Sequence, residues 1–269
     1  MNFSNKLSRI FGKIANKAFP HIIQIFINRL YVYVFKIDMK EFNKPCSYKT
    51  LNALFTRKLT KPRKLDAKPF NIISPTDSLI MEQGRLENYK ALQIKGMEYS
   101  VLPFLGLSDT KDIESIKHYK FINLYLSPKD YHRFHAPCDL EVLEARYFSG
   151  RLLPVNKTSL LKNKDLFNIN ERVVLKVRFS YNQEIAYYVA VGALNVGKMR
   201  FNFDERIKTN ASLGDAIYTY ENCFLKAGDE VGMFEMGSTI VLIANVLFVK
   251  KEQDVVRMGE ELALLNKSV

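Results

Sequence analysis

The sequence is poor in the residues that staple, ligate or span. Its three cysteines, Cys46, Cys138 and Cys223, are odd in number, far apart and free of any Cys-x-x-Cys pair. That spacing argues against a disulfide framework or a zinc knuckle and fits a reducing cytosol. There are four histidines, and no cluster of carboxylates or cysteines accompanies them, so no metal site is expected. No tandem repeat or low-complexity tract interrupts the chain. No apolar run reaches the roughly 20 residues needed to cross a bilayer. The strongest, residues 22–37, is broken by Gln24, Asn28 and Arg29. No small-residue cleavage site follows it, which excludes a secretory signal.

What is present describes a folded, basic protein. Of the 269 residues, 47% are hydrophobic and 12% aromatic, enough for a substantial core. Lys and Arg number 40 against 28 Asp and Glu, a balance of +12 that attracts polyanions. The basic residues are spread along the chain rather than interleaved with aromatics for base stacking, so an anionic membrane is preferred to nucleic acid.

Residues 1–45 differ from the rest. Phe3, Leu7, Ile10, Phe11, Ile14 and Ala18 share one helical face, and Lys6, Arg9, Lys13 and Lys17 the adjoining one. After Pro20 comes the aromatic-rich apolar piece. A basic amphipathic helix beside an apolar one suits a protein lying on an anionic membrane surface; a helical hairpin packed on the core is the other reading. Residues 50–59 carry a short helical pattern, followed by the basic connector Lys61-Pro62-Arg63-Lys64. From Ile72 onward the texture is β, with short apolar runs at 121–126, 173–179, 185–191 and 240–248. The expected fold is α+β: a helical membrane-associating segment, 1–45, then a mostly β, barrel-sandwich-like catalytic domain, 46–269.

Three pieces carry groups that could react. Asp77 lies in Ser74-Pro75-Thr76-Asp77-Ser78, where an aspartate is ordinarily turn chemistry. His132 and His135 lie in Tyr131-His132-Arg133-Phe134-His135-Ala136-Pro137, and histidine is the commonest general acid or base. Pro137 argues for a loop or strand end there. Ser238 lies in Met236-Gly237-Ser238-Thr239, a small-residue turn before the β-branched run Ile240-Val241. Asp, His and Ser supply the parts of a nucleophilic relay, yet the serine lacks the Gly-x-Ser-x-Gly elbow. Taken alone, Gly237-Ser238 reads as a hairpin turn entering a core strand.

The ordered set Leu54-Phe55-Thr56-Arg57, Ser74-Pro75-Thr76-Asp77, Tyr131–Pro137, Leu153-Pro154-Val155-Asn156, Val191-Gly192-Ala193-Leu194-Asn195-Val196-Gly197 and Met236-Gly237-Ser238-Thr239 resembles the phosphatidylserine decarboxylases. The resemblance implies a proenzyme that cuts itself between Gly237 and Ser238, with His135 as base, Asp77 as its orienter and Ser238 as nucleophile. It implies a pyruvoyl group made from Ser238, which forms a Schiff base with phosphatidylserine so that CO2 is lost and phosphatidylethanolamine formed. His132 would be the proton donor in that step. The partners implied are the lipid substrate, an anionic membrane surface and the chain's own two fragments, 1–237 and 238–269, assembled further as a dimer of heterodimers. The place implied is the cytoplasmic face of the cell membrane, peripherally bound. Two positions depart from the family pattern, Ser78 and Met236; neither removes a reacting group, though Ser78 adds a hydroxyl beside Asp77. Two other classes remain open at this point: a non-enzymatic basic module binding anionic membranes, and a conventional serine hydrolase.

Overall fold

Pro20 separates two N-terminal helices, α1 (Phe3–Asn16) and α2 (His21–Phe35), because it cannot continue the first and is well suited to precede the second. Lys36 closes α2 in the left-handed conformation (φ 52°), with Lys36 N–H donating to the Tyr33 carbonyl and Ile37 N–H to that of Val32. The computed structural model describes residues 3–94, 96–194, 198–210, 214–235 and 238–266. A third short helix, α3 (Leu51–Phe55), is capped by the Thr50 hydroxyl, which accepts from Ala53 N–H at 3.0 Å. It is shorter than the pattern over 50–59 suggests.

Gln24 and Asn28, which break the apolar run of α2, turn inward. Both are buried, Gln24 donates to Asn28 at 2.8 Å, and Asn28 donates to the carbonyls of Pro45 and Tyr48. The apolar side therefore faces out: Ile22, Phe26 and Tyr33 are 83%, 66% and 79% exposed. On α1, Ile10 and Ile14 are likewise exposed, while Ser8 and Ala15 are buried.

The remainder is mostly sheet. In chain order the strands are β1 (Asn71–Ile73), β2 (Ser78–Arg85), β3 (Lys90–Ile94), β4 (Met97–Ser100), β5 (Lys120–Leu126), β6 (Arg133–His135), β7 (Leu140–Phe148), β8 (Arg172–Phe179), β9 (Ile185–Gly192), β10 (Met199–Phe201), β11 (Ala216–Leu225), β12 (Glu230–Phe234), β13 (Ser238–Ala244), β14 (Val246–Phe248), β15 (Val255–Val256) and β16 (Glu261–Leu265). Four short helices, α4 (Val101–Leu105), α5 (Thr110–Ser115), α6 (Lys157–Lys162) and α7 (Leu166–Ile169), punctuate them. The large sheet has the order β11-β7-β8-β9-β13-β5-β2-β15 and does not close on itself, so the body is an open sheet with smaller sheets rather than a barrel.

Two of those sheets set the site. The large one holds β13 between β5 and β9, with Ser238 opposite Leu126 on one side and Gly192 on the other. All seven residues of β13 are buried, which explains why its sequence is continuously apolar after Thr239 instead of alternating. A Cβ at Gly192 would press on Leu152 Cδ2 (3.0 Å) and the Glu171 carbonyl (3.2 Å), so a larger residue there would have to push these neighbours back by a few tenths of an ångström. The small sheet β10-β12-β6 carries His135 at the end of β6, with His132 just before that strand, alongside β12, which leads toward Ser238. Ser238 and Thr239 are thus strand residues, not turn residues. Met236 and Gly237 lie outside the described residues.

Candidate active site

Asp77 follows the turn after β1. Its carboxylate takes a two-pronged bond from Arg63, Nη1 to Oδ1 at 2.5 Å and Nη2 to Oδ2 at 2.9 Å, and accepts from Met258 N–H at 2.8 Å. Arg63 also holds both Glu41 oxygens, at 3.1 and 2.8 Å. Burial works against the Arg63 charge, but its bonds to the two carboxylates outweigh that and its pKa is raised. The Ser78 hydroxyl accepts from Thr76 Oγ1 at 3.2 Å, so its bond is to Thr76 rather than to Asp77.

His135 ends β6, and its N–H donates to the Pro75 carbonyl at 2.9 Å, which brings the turn bearing Asp77 beside it. Its Nδ1 is 2.8 Å from the Gly228 carbonyl, and its Nε2 is 3.1 Å from the Tyr131 hydroxyl. A carbonyl only accepts, so Nδ1 carries the proton and Nε2 receives the phenol's. Gly228 stands at φ +85° in the Lys226–Asp229 turn, a conformation that suits glycine and that presents this carbonyl. Burial lowers the pKa of His135.

His132 is fully buried, its ring 3.9 Å from that of Phe55. Nδ1 donates to the Asp130 carbonyl at 2.8 Å, and Nε2 has no hydrogen-bond partner among the described residues. Burial, then the positive charge of Arg57, push its pKa down to about 3, so near neutral pH it is uncharged with a bare Nε2. As an acceptor in this state, it must gain a proton before it can donate one. The His132 carbonyl accepts from Phe234 N–H at 3.0 Å, anchoring it four residues before Ser238. Ser238 itself is 0% exposed, and its Oγ has no hydrogen-bond partner among the described residues.

The structure thus links His135 to Asp77 only through two intervening residues. Neither Asp77 nor Ser238 is a hydrogen-bond partner of His135. The link runs from Asp77 to Arg63, whose guanidinium lies 5.7 Å over the Tyr131 ring, and from the Tyr131 hydroxyl to His135. Arg63 and the Gly228 carbonyl are parts of the site that the sequence did not single out. Arg63 is one of four consecutive-looking connector residues, and a backbone carbonyl has no signature of its own.

With this geometry in place, comparison with known proteins identifies the kin. The phosphatidylserine decarboxylase family matches residues 51–264. A phosphatidylserine decarboxylase proenzyme of Helicobacter pylori (strain J99) is 52% identical over 263 residues, 96% of each chain. One from Campylobacter jejuni is 46% identical over 271 residues, 98% of this chain and 100% of that one. A mitochondrial proenzyme of Pongo abelii is 32% identical over 96% of this chain and 71% of its own. The match runs across α3, both histidines and the whole of β13. The chain belongs to the phosphatidylserine decarboxylase family.

Proposed function

We propose that this chain is a proenzyme that cuts itself between Gly237 and Ser238 and then removes the carboxylate of phosphatidylserine, giving phosphatidylethanolamine. The observation that carries this reading is the Ser238 hydroxyl, fully buried at the head of the central strand and without a described partner. Buried hydroxyls nearly always find one. Attack of Oγ on the Gly237 carbonyl exchanges an amide for an ester. Elimination across Cα–Cβ of residue 238 expels the carboxylate of residue 237 and leaves dehydroalanine, and hydrolysis then gives a pyruvoyl end and ammonia. Such an end fits the position, since no described hydrogen bond of Oγ is lost and the neighbouring strands hold β13 through its backbone. The pyruvoyl group supplies the electron sink that amino-acid decarboxylation needs and ordinary side chains lack.

Around it the chain's own residues hold and move protons. His135 is the base for self-cleavage and Asp77 its orienter, coupled through Tyr131 and Arg63. His132 Nε2 takes the proton the substrate's ammonium must shed before its nitrogen can attack, and returns it to the carbon that has lost its carboxylate. Fragments 1–237 and 238–269 stay together because β13 is hydrogen-bonded on both edges and buried on both faces, and the heterodimers pair in turn.

The outward apolar faces of α1 and α2, with the chain's positive charge, support peripheral attachment of residues 1–45 to an anionic bilayer at the cytoplasmic face of the cell membrane. No helix among the described residues is long and apolar enough to cross a membrane. Residues 46–269 then form the catalytic part. Intact-mass spectrometry with a CO2-release assay on phosphatidylserine vesicles tests the whole reading. An uncut wild-type chain that releases no CO2 would overturn it.

A further inference from the structure

Arg57 is a buried cation on which the carboxylates of Asp77 and Asp130 act only through space, without direct contact. It is 2% exposed, and its Nη2 donates to two carbonyls, those of Lys129 (2.7 Å) and Asp130 (3.0 Å). Its Nε and Nη1 are buried with no partner, and it forms no ion pair among the described residues. The other buried arginines are satisfied. Arg133 meets Glu230 and the Thr56 carbonyl, Arg63 meets Asp77 and Glu41, and Arg172 spends its nitrogens on the carbonyls of Pro103, Phe104, Asn168 and Asn170. Leaving a buried guanidinium unpaired costs several kcal/mol in general, and such a group persists where a ligand brings the missing charge.

Its surroundings say which ligand. The Asp130 carbonyl that accepts from Arg57 also accepts from His132, so the cation stands next to the histidine whose Nε2 is free. On its other side the Phe42 ring lies 4.5 Å from the guanidinium. Tyr31 of α2 also feels its charge, while that helix turns its apolar face outward. Arg57 is therefore placed between the helix proposed to touch the bilayer and the buried histidine. That is where the headgroup of a lipid reaching from the one to the other must pass.

We propose that Arg57 binds the phosphodiester of the lipid substrate through Nε and Nη1. The inference rests on the decarboxylase reading. Phosphatidylserine carries two anionic groups, and the choice between them follows from the reaction. A guanidinium on the carboxylate would stabilise the charge that decarboxylation removes, raising the barrier. A guanidinium on the phosphate sees the same charge before, during and after the reaction, and contributes uniform binding.

The test uses processed wild-type enzyme with Arg57→Gln and Arg57→Lys, assayed in mixed micelles. Both variants cut themselves as wild type does, since self-cleavage involves no phosphate. Losing a charged hydrogen bond raises KM by about 10- to 100-fold in both, and in Arg57→Lys, which keeps the positive charge beside His132, kcat changes much less. Inhibition by glycerophosphoethanolamine, which has the phosphate and amine but no carboxylate, weakens by the same factor, while inhibition by L-serine does not change. An unchanged KM, or weakened serine inhibition with glycerophosphoethanolamine unaffected, overturns the assignment. Should both variants misfold, a structure of the processed wild-type enzyme with glycerophosphoethanolamine decides. A phosphate oxygen within hydrogen-bond distance of Nε or Nη1 upholds the proposal, and a phosphate bound elsewhere overturns it. A wild-type enzyme that releases no CO2 would retire the decarboxylase reading itself, whereas an active enzyme indifferent to Arg57 would retire only this one.

Discussion

His132 and Arg57 share one acceptor: the Asp130 carbonyl oxygen lies 2.8 Å from His132 Nδ1 and 3.0 Å from Arg57 Nη2. The shared bond fixes the imidazole tautomer, while burial and then the Arg57 charge keep the ring neutral against the opposing pull of that bond. A proton carrier in this setting starts as a base.

Cleavage and decarboxylation should therefore separate by mutation. His132→Gln keeps a side chain of similar length but cannot carry a proton, so it should yield both fragments yet lose about 100-fold or more in CO2 release. Ser238→Ala should remain one chain of about 31.2 kDa. Intact mass and the CO2 assay on the same samples read both outcomes, and a cut but fully active His132→Gln would refute its role.

The Arg63 clamp makes a second test. Arg63→Met strips the ion pair from Asp77, which keeps only the Met258 N–H bond. Breaking a largely buried pair should cost about 2–3 kcal/mol, mostly from Asp77, because Glu41 is more exposed and better screened. The urea midpoint should fall and self-cleavage should slow. Normal cleavage in a destabilised chain would show that Asp77 needs no clamp.

Both histidines titrate lower in the fold than their ordinary value of 6.5. The unfolded chain thus binds more protons than the folded one below about pH 6.5, and stability falls as the pH drops. For His132 the loss continues to about pH 3. The slope approaches about 1.4 kcal/mol per pH unit for His132, and His135 adds to it in the same direction. Urea unfolding at pH 7 and pH 5 measures it, and His132→Gln should flatten the difference.

The outward face of α2 can be tested without touching the core. Phe26→Ser with Tyr33→Ser removes two exposed rings, so stability should change by less than about 0.5 kcal/mol. Flotation with anionic vesicles should fall severalfold, and high salt should weaken the wild-type interaction. Undiminished flotation would locate the membrane contact elsewhere.

Within β13, Leu242→Ala leaves a cavity in the core against the face of the large sheet and should cost about 2–5 kcal/mol. After cleavage the same change should let fragment 238–269 dissociate at lower urea than in wild type. Co-elution on gel filtration across a urea series follows it.

Much of the architecture was readable in residue order. The apolar runs at 121–126, 173–179, 185–191 and 240–248 lie in β5, β8, β9, β13 and β14, because a strand buried on both faces writes itself as consecutive apolar residues. The two N-terminal helices were readable from their periodicity and from Pro20. The groups proposed to react were nameable too, since few residue types do such chemistry and the motif order restricts them further.

The partners of those groups were decided only in three dimensions. His135 is oriented by a carbonyl 93 residues away, and Asp77 by an arginine 14 residues upstream and an N–H 181 residues downstream. Nor does periodicity say which way α2 faces. It marks a polar side and an apolar side, and here the buried Gln24–Asn28 pair satisfies the carbonyls of Pro45 and Tyr48, leaving the apolar side to the exterior. Local pattern records which side chains share a face. What that face meets depends on hydrogen-bond demands met across the chain, and those exist only once the backbone has folded.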